Sequence, residues 1–256
     1  MQKVDINCDL GESYGHYKIG YDAQVMPHIT SANIACGFHA GDPNVMAYTI
    51  NLAKKHSVAV GAHPGFPDLQ GFGRREMKLS SEEVQNLVVY QIGALQAFAK
   101  VSGMALQHVK PHGALYNMAM KDALLAKAIV KGVKAVDSKL IVFTQTKSEM
   151  AKVAAKTGLR VAFEGFADRA YKSDGSLLSR VMTGSVIEDP KTVTKRAIEM
   201  IKEKRVVAVD GKTVELGEVD TLCVHGDNLK AVALVRALRK GLEKAGITVT
   251  AVGKFV

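Results

Sequence analysis

The amino-acid sequence predicts an α/β fold, an irregular (β/α) barrel of seven or eight strands, and three observations support that prediction. The chain has 256 residues, a length that such barrels commonly occupy as one unit. Apolar strand patterns alternate with amphipathic helical patterns along the chain. The strand patterns end near Asp9, Gly37, His63, His112, Gln145, Gly165 and His225. An open doubly wound sheet is the alternative architecture.

Capping residues mark the helices between these strands. Asp42-Pro43 and Asp189-Pro190 each combine an N-cap carboxylate with a proline in the first turn. An apolar stripe predicts a core-facing helix from about Glu82 to Lys100. Most pairs of strands are therefore expected to be joined by one amphipathic helix.

The chain shows no linker, low-complexity segment or abrupt change of composition. Residues 1–256 are therefore expected to form a single barrel domain. One β-hairpin insertion is predicted near 206–216, because Asp210-Gly211 supplies the positive φ angles of a type I′ turn between two short strand patterns. A last strand is expected from Ile247 to Val252.

The composition excludes several classes of protein. With 47% hydrophobic and 23% charged residues and no run of about 20 apolar residues, the chain resembles neither a disordered nor a membrane-spanning protein. No export signal is visible, so a cytoplasmic protein is expected. The net charge is +9, but most lysines lie on helical faces and there is no tryptophan, which argues against nucleic acid as the partner. The three cysteines cannot all pair and are expected to be buried thiols.

Side-chain alternation along the strands predicts which polar residues share the barrel interior. In the first strand Val4, Ile6, Cys8 and Leu10 form the outward apolar set, so Asp5, Asn7 and Asp9 point inward. In later strands the same parity selects Asn33, His63, His108, Lys110, His112, Glu164, Cys223 and His225, with His39 and Asp168 just beyond their strands. A polar cavity is therefore expected at the carboxyl ends of the strands, where barrel enzymes hold their active sites.

A metal site is one interpretation of this cavity. Asp9, Glu12, His39 and His63 combine two carboxylates with two imidazoles, a set that suits Zn, Mn or another divalent ion. A single histidine at a strand end is more often structural, yet four strands end in inward-facing histidines. The alternative is that Asp9 and Glu12 orient the two imidazoles for acid–base chemistry.

Two basic segments are candidates for binding charge. Lys110 lies in an apolar strand, where it is either a fixed positive charge against a developing oxyanion or the partner of a carboxylate such as Glu164. Arg74 and Arg75 follow Gly71-Phe72-Gly73 on a loop suited to a carboxylate or phosphate. The chain has no phosphate-binding glycine motif after a strand and no G-x-S-x-G motif.

Taken together, these segments resemble the motifs of the lactam-utilisation (LamB/YcsF) family over nearly the whole chain. The matching segments are Asn7–Glu12, Ser31–Pro43, Gly61–Gly65, Gly71–Arg75, Val109–Tyr116, Glu164–Arg169 and Val224–Asp227. The resemblance implies an irregular barrel related to the glycoside hydrolase and metal-dependent deacetylase barrels. It also implies the opening of 5-oxo-L-proline to L-glutamate with ATP hydrolysis, together with the partner subunits B and C of a 5-oxoprolinase.

Parity and chemistry assign the site residues. The predicted catalytic residues are Asp9, Lys110, His112 and Glu164. The predicted substrate-binding residues are Asn33, Arg74, Arg75, Asp168, Arg169 and His225. The predicted metal ligands are Glu12, His39 and His63, with Asp9. ATP is expected as a cofactor of the whole complex: subunits B and C activate the lactam carbonyl, and this chain directs water to it. A stand-alone metal-dependent amide hydrolase and a non-catalytic scaffold are the rival hypotheses.

Overall fold

The structure is a computed structural model that describes residues 2–180, 182–225 and 229–256. The strands, numbered in chain order, are β1 (Lys3–Leu10), β2 (Ser31–Ala35), β3 (Ala59–His63), β4 (Leu106–Val109), β5 (Ile141–Thr144), β6 (Arg160–Phe166), β7 (Arg205–Val207), β8 (Thr213–Glu215), β9 (Thr221–His225) and β10 (Thr248–Val249). The α-helices are α1 (Asp22–Val25), α2 (Pro43–Lys55), α3 (Ser81–Val101), α4 (Gly113–Ala119), α5 (Ala123–Val136), α6 (Glu149–Lys156), α7 (Pro190–Lys202) and α8 (Leu229–Lys244). Short 3-10 helices lie at Met26–His28 and Val252–Lys254.

Seven parallel strands within the described ranges form a closed barrel. Their order is β1-β2-β3-β4-β5-β6-β9, and β9 pairs back with β1. Asp9 is in register with Asn33 on one side and with His225 on the other. The closure confirms the predicted (β/α) barrel and rules out the open sheet.

The outward face of the barrel packs under the helices, as the alternation of apolar residues in β1 predicts. Val4, Ile6, Cys8 and Leu10 are all buried in the main apolar core. The same core includes side chains of α3 and α5, which pack against each other outside the barrel. Because the apolar set of β1 faces outward, the polar set of β1 is left to fill the interior.

Capping residues begin the helices where the sequence indicates. The Asp42 carboxylate accepts hydrogen bonds from the backbone of Asn44 and Val45, and Asp189 accepts one from Thr192. None of the helices in the described part of the chain combines the length and apolar composition that a membrane crossing requires.

The hairpin β7–β8 runs from Arg205 to Glu215, one residue earlier than predicted, and its turn differs from the prediction. The Gly211 amide donates to the Ala208 carbonyl, and of the described turn residues only Gly211 has a positive φ, of 81°. This geometry is a type I turn followed by a left-handed glycine, so the predicted type I′ turn is wrong.

The last strand is shorter than predicted. β10 has only two residues, and it pairs with the start of β1 through Lys3 and Thr248. The chain then enters a 3-10 helix at Val252, so the predicted strand to Val252 is wrong. β10 extends the sheet beside β1 but takes no part in closing the ring.

Candidate active site

The carboxyl ends of the strands open into a cavity of about 1320 Å³. Asp9, His63, Lys110 and Glu164 line its floor, and Glu12 and His112 line the part next to them. Its walls come from Gln145–Ser148, from Arg169 and Tyr171–Arg180 after β6, and from the hairpin strand β8. The cavity thus lies at the face of the barrel where the sequence predicts a polar cavity.

Lys110 lies between two carboxylates on the cavity floor. Its Nζ is 3.0 Å from Asp9 Oδ1 and 2.9 Å from Glu164 Oε1. It also donates to Asn7 Oδ1 at 3.2 Å and contacts Cys223 Sγ at 3.1 Å. Burial disfavours the ammonium, but the negative groups around it outweigh that effect and raise the pKa of Lys110 well above its ordinary value. Lys110 is thus held as a fixed cation within an ion pair.

The two carboxylates are held differently. Asp9 Oδ1 accepts from Lys110 and, at 2.8 Å, from Asn33 Nδ2, whereas Asp9 Oδ2 lies 3.4 Å from His63 Nε2. The side chain of Glu164 is fully buried and accepts from Asn7 Nδ2 at 3.1 Å and from the Tyr116 hydroxyl at 2.8 Å. Glu164 is therefore fixed on both oxygens, while Asp9 directs one oxygen toward the histidines.

A layer of buried polar residues supports this floor from inside the barrel. We call this layer the lower network; it consists of Asp5, Asn7, Asn33 and Thr221. The Asn7 amide makes all four of its hydrogen bonds, because Nδ2 donates to Glu164 and Thr221 while Oδ1 accepts from Asn33 and Lys110. Asn33, predicted to bind substrate, lies in this layer.

Asp5 ends the lower network. Its carboxyl group accepts hydrogen bonds from the hydroxyl groups of Thr30, Ser31 and Thr221. Burial nevertheless raises the pKa of Asp5 to about 6, because the loss of hydration outweighs those hydrogen bonds.

Four side chains from the ends of β1 to β4 converge beside the floor, and we call Glu12, His39, His63 and His112 the histidine cluster. One ligand atom from each lies within 4.8 Å of the others. His63 Nε2 and His112 Nδ1 are 3.0 Å apart, and Glu12 Oε1 lies 3.4 Å from His39 Nε2 and 3.5 Å from His112 Nδ1. Ligands around a tetrahedral zinc ion lie roughly 3.3 Å apart, given zinc–ligand distances near 2.0 Å.

Hydrogen bonds to the main chain set the tautomers of two of these imidazoles. His63 Nδ1 donates to the Lys110 carbonyl at 2.6 Å, and His112 Nε2 donates to the Phe72 carbonyl at 2.8 Å. A neutral imidazole has one N–H, so the lone pairs of His63 Nε2 and His112 Nδ1 face each other. Within the described part of the chain, His39 Nδ1 is buried without a hydrogen-bond partner.

The histidine cluster therefore has the donor set that a divalent cation requires. Burial lowers the pKa of His39 and of His112 well below the ordinary histidine value, which keeps both rings neutral. Burial raises the pKa of Glu12, an effect that a bound cation would oppose. The cluster contains His112 where the sequence pattern predicts Asp9; Asp9 instead pairs with Lys110.

The predicted arginines occupy different positions. Arg74 lines the cavity with its guanidinium carbon 5.1 Å from the centre of the Phe72 ring. Arg75 pairs with Asp68, has a side chain that is 64% exposed, and is absent from the described cavity lining. Arg169 reaches the cavity, but its Nε and Nη2 donate to the carbonyls of Ser185 and Leu178.

Two further predicted residues contribute less to the described cavity. Asp168 is buried and is not among the described residues of its lining. The side chain of His225 lies outside the described part of the structure. The sequence patterns also miss Tyr116, which lies three residues after Gly113 on α4 and holds Glu164.

Known proteins resemble this chain along its whole length. It matches the LamB/YcsF family over residues 4–256. A Pyrococcus furiosus protein that carries the name of the A subunit of 5-oxoprolinase is 55% identical over 254 residues, 99% of each chain. The protein of the same name from Clostridium beijerinckii is 53% identical over 255 residues, covering both chains completely.

A solved structure agrees with this match. The crystal structure of a lactam utilization protein from Thermus thermophilus superposes with a TM-score of 0.92 at 50% identity, covering 98% of this chain and 100% of that one. Sequence and fold agree along the whole chain, and the chain belongs to the LamB/YcsF family.

Proposed function

We propose that this chain is the A subunit of an ATP-dependent 5-oxoprolinase, which opens 5-oxo-L-proline to L-glutamate together with partner subunits B and C. The observation that carries the proposal is the buried Lys110 ammonium, held between Asp9 and Glu164 on the floor of a large cavity. The relatives at 53–55% identity, whose names contain this activity, support the choice of substrate.

The reaction needs activation because a five-membered lactam amide is a poor electrophile. Transfer of the γ-phosphoryl group of ATP to the lactam oxygen releases ADP and makes the ring carbon electrophilic. Water then adds to that carbon, the carbon–nitrogen bond breaks as the nitrogen gains a proton, and a second water releases phosphate. The products are glutamate, ADP and phosphate.

The residues on the floor fit the water-addition and ring-opening steps. Lys110 is a cation that needs no reorganisation, so it stabilises negative charge that develops on oxygen. Asp9 accepts a proton from water through Oδ2, the oxygen directed at the histidine cluster. Glu164 positions Lys110.

The substrate carboxylate is best matched by Arg74. Arg74 is an exposed residue of the cavity lining, whereas Arg169 is buried and Arg75 is absent from the described lining. A guanidinium offers the paired donors that a carboxylate accepts.

We further propose that the histidine cluster holds a divalent ion through Glu12, His39, His63 and His112. When bound, such an ion supplies Lewis acidity and lowers the pKa of water. This assigns His112, which the sequence predicts as a catalytic residue, to the ligands instead, and its lowered pKa keeps the ring neutral.

Omission of subunits tests the division of labour. ADP release that depends on 5-oxoproline is measured with this chain, B and C together and with each omitted in turn. We expect coupled turnover only in the full complex, because this sequence has no phosphate-binding glycine motif after a strand. Full coupled turnover without this chain would contradict the proposal.

A stand-alone, metal-dependent amide hydrolase is the second candidate, and the histidine cluster is the observation that favours it. It predicts that the isolated chain loaded with Zn²⁺ hydrolyses a lactam or N-acetyl substrate without ATP. That result would replace the ATP-dependent scheme. Its absence, with turnover in the complete complex, would support the first proposal.

A further inference from the structure

We propose that the loop from Gly71 to Arg74 is a working part of the metal site, because the Phe72 carbonyl selects the tautomer in which His112 binds the ion through Nδ1. The inference rests on the proposed metal in the histidine cluster. It assigns to this loop a role different from the substrate binding that its arginines suggested.

The loop has a backbone conformation that residues other than glycine rarely adopt. Phe72 has a φ of 54°, in the left-handed region that is costly for residues other than glycine. This conformation directs the Phe72 carbonyl to His112 Nε2, at 2.8 Å. The ring of Phe72 packs edge-on against both His39 and His112, with centroids 5.7 and 5.2 Å away.

Two glycines allow the loop to approach the histidines so closely. Gly73 has a φ of 63°, and a Cβ built on it would lie 2.7 Å from His39 Cβ and 2.9 Å from His112 Cδ2. Gly113 has a φ of 52°, and a Cβ there would lie 2.6 Å from the Gly73 carbonyl oxygen. The Ala114 amide donates to that same carbonyl at 2.9 Å, which fixes the loop to the start of α4.

The carbonyl decides between two arrangements of His112. With its proton on Nε2, His112 satisfies Phe72 and presents the Nδ1 lone pair to the cluster. Without that acceptor, the proton on Nδ1 would gain a partner in Glu12 Oε1, now 3.5 Å away, and the ring and the carboxylate would satisfy each other. In the first arrangement His112 can bind a metal ion through Nδ1. In the second, His112 and Glu12 form a hydrogen-bonded pair that leaves no lone pair on Nδ1 for an ion.

The Lys110 carbonyl acts in the same way on His63, at 2.6 Å from Nδ1. Two main-chain carbonyls therefore accept the N–H groups of His63 and His112. The remaining lone pairs, on His63 Nε2 and His112 Nδ1, point toward each other. Hydrogen bonds of this kind raise the affinity of metal sites because they orient the ligand ring and fix its tautomer. A borderline-soft divalent ion that prefers neutral imidazole, such as Zn²⁺, is the ligand that this arrangement fits.

The test displaces the loop and measures Zn²⁺ binding to the metal-stripped protein by calorimetry. Gly73→Ala places a methyl group against the two histidines, and we expect it to weaken Zn²⁺ binding by roughly 10- to 100-fold. The matched control is Gly158→Ala, because Gly158 also has a positive φ, of 79°, but open space around it. We expect the control to bind Zn²⁺ with wild-type affinity.

A second measurement keeps the inference falsifiable if Gly73→Ala does not fold. ¹⁵N NMR of the metal-stripped wild-type protein should show His112 protonated on Nε2, because the Phe72 carbonyl accepts that proton. Phe72→Gly keeps this carbonyl and allows the same positive φ, so we expect the proton to stay on Nε2 in that variant. A wild-type His112 protonated on Nδ1, or a folded Gly73→Ala variant with wild-type Zn²⁺ affinity, would overturn the inference.

The same measurements separate this inference from the functions proposed above. If wild-type protein with the Nε2 tautomer binds no Zn²⁺, the proposed metal is wrong and the loop is no part of a metal site. The 5-oxoprolinase proposal is decided separately, by the omission of subunits.

Discussion

The lower network and the histidine cluster are both buried and polar, yet their hydrogen bonding differs. In the lower network the Asn7 amide satisfies all four of its hydrogen-bonding positions within the protein. In the histidine cluster, His63 Nε2 and His112 Nδ1 direct lone pairs at each other across 3.0 Å. The first arrangement is complete without a ligand, whereas the second needs a cation or a proton between its members.

This difference indicates that the lower network has a structural role, whereas the histidine cluster is suited to bind a ligand. Buried polar groups that satisfy one another stabilise a particular arrangement of side chains, because breaking any of the bonds leaves a costly unpaired group. Convergent acceptors without donors have an energetic cost that a ligand removes. Lys110 lies at the boundary, since it contacts Asn7 of the lower network and also Asp9, which faces the cluster.

The largest effect is expected in the histidine cluster. His63→Ala removes one of four ligands, and we expect Zn²⁺ affinity to fall by at least roughly 100-fold. Elemental analysis after dialysis checks this, with His56→Ala at the end of α2 as a control outside the cluster. Wild-type occupancy should fall only well below the ordinary histidine pKa of 6.5, because burial lowers the pKa of His39 and His112 and protonated imidazole cannot bind metal. Full occupancy in His63→Ala would show that the cluster is not the site.

The second largest effect is expected at Lys110, which lies between the lower network and the histidine cluster. Lys110→Met should lower kcat of the complete complex by roughly 100-fold, with a smaller change in KM, because the ammonium acts on charge that develops in the transition state. Lys147→Met is the control, since Lys147 lines the same cavity but donates to the Glu215 carbonyl. Normal turnover by a soluble Lys110→Met variant would remove Lys110 from the mechanism.

The lower network should respond to pH through Asp5. The pKa of Asp5 is raised from 3.8 to about 6 on folding, so the unfolded chain loses this proton first as pH rises. Stability that is present below pH 3.8 should then be lost as pH rises through 6, by about 3 kcal/mol. Denaturant titrations of wild type and Asp5→Asn measure the difference, and parallel curves between pH 4 and 7 would contradict it.

The smallest effect is expected on KM, and it distinguishes Arg74 from Arg75. Arg74→Ala should raise KM for 5-oxoproline by roughly 10-fold, the value of one charge-assisted hydrogen bond. Arg75→Ala should leave KM unchanged, because Arg75 pairs with Asp68 at the exposed surface. The reverse ranking in steady-state assays would place the substrate carboxylate elsewhere.

Strand periodicity predicts which side chains meet on the cavity floor, because alternation fixes the side of the sheet on which a side chain lies. Asp9, Lys110 and Glu164 come from three different strands or strand ends, and the structure brings all three within ion-pair distance. The lower network follows from the same rule, since Asp5 and Asn7 share the parity of Asp9.

Residues beyond the strands are harder to place from sequence. Alternation selects His112 for the interior, but His112 is the N-cap residue of α4, so its place among the ligands of the cluster depends on the path of the chain after β4. Arg74 and Arg75 are neighbours in sequence, yet one lines the cavity and the other lies at the surface. The positive φ of Phe72 shapes the loop after β3 that carries both arginines, and sequence patterns rarely reveal such a conformation in a residue other than glycine.

The burial of the cysteines has a practical consequence for chemical labelling. Cys8, Cys36 and Cys223 are all buried and unpaired by disulfides, and burial raises the pKa of each thiol, that of Cys36 to about 12. The reactive thiolate is therefore nearly absent at neutral pH, and reagents cannot reach the sulfur atoms. Alkylation of the native protein consequently reports the opening of the barrel, and Cys223, which contacts Lys110, reports opening at the floor of the site.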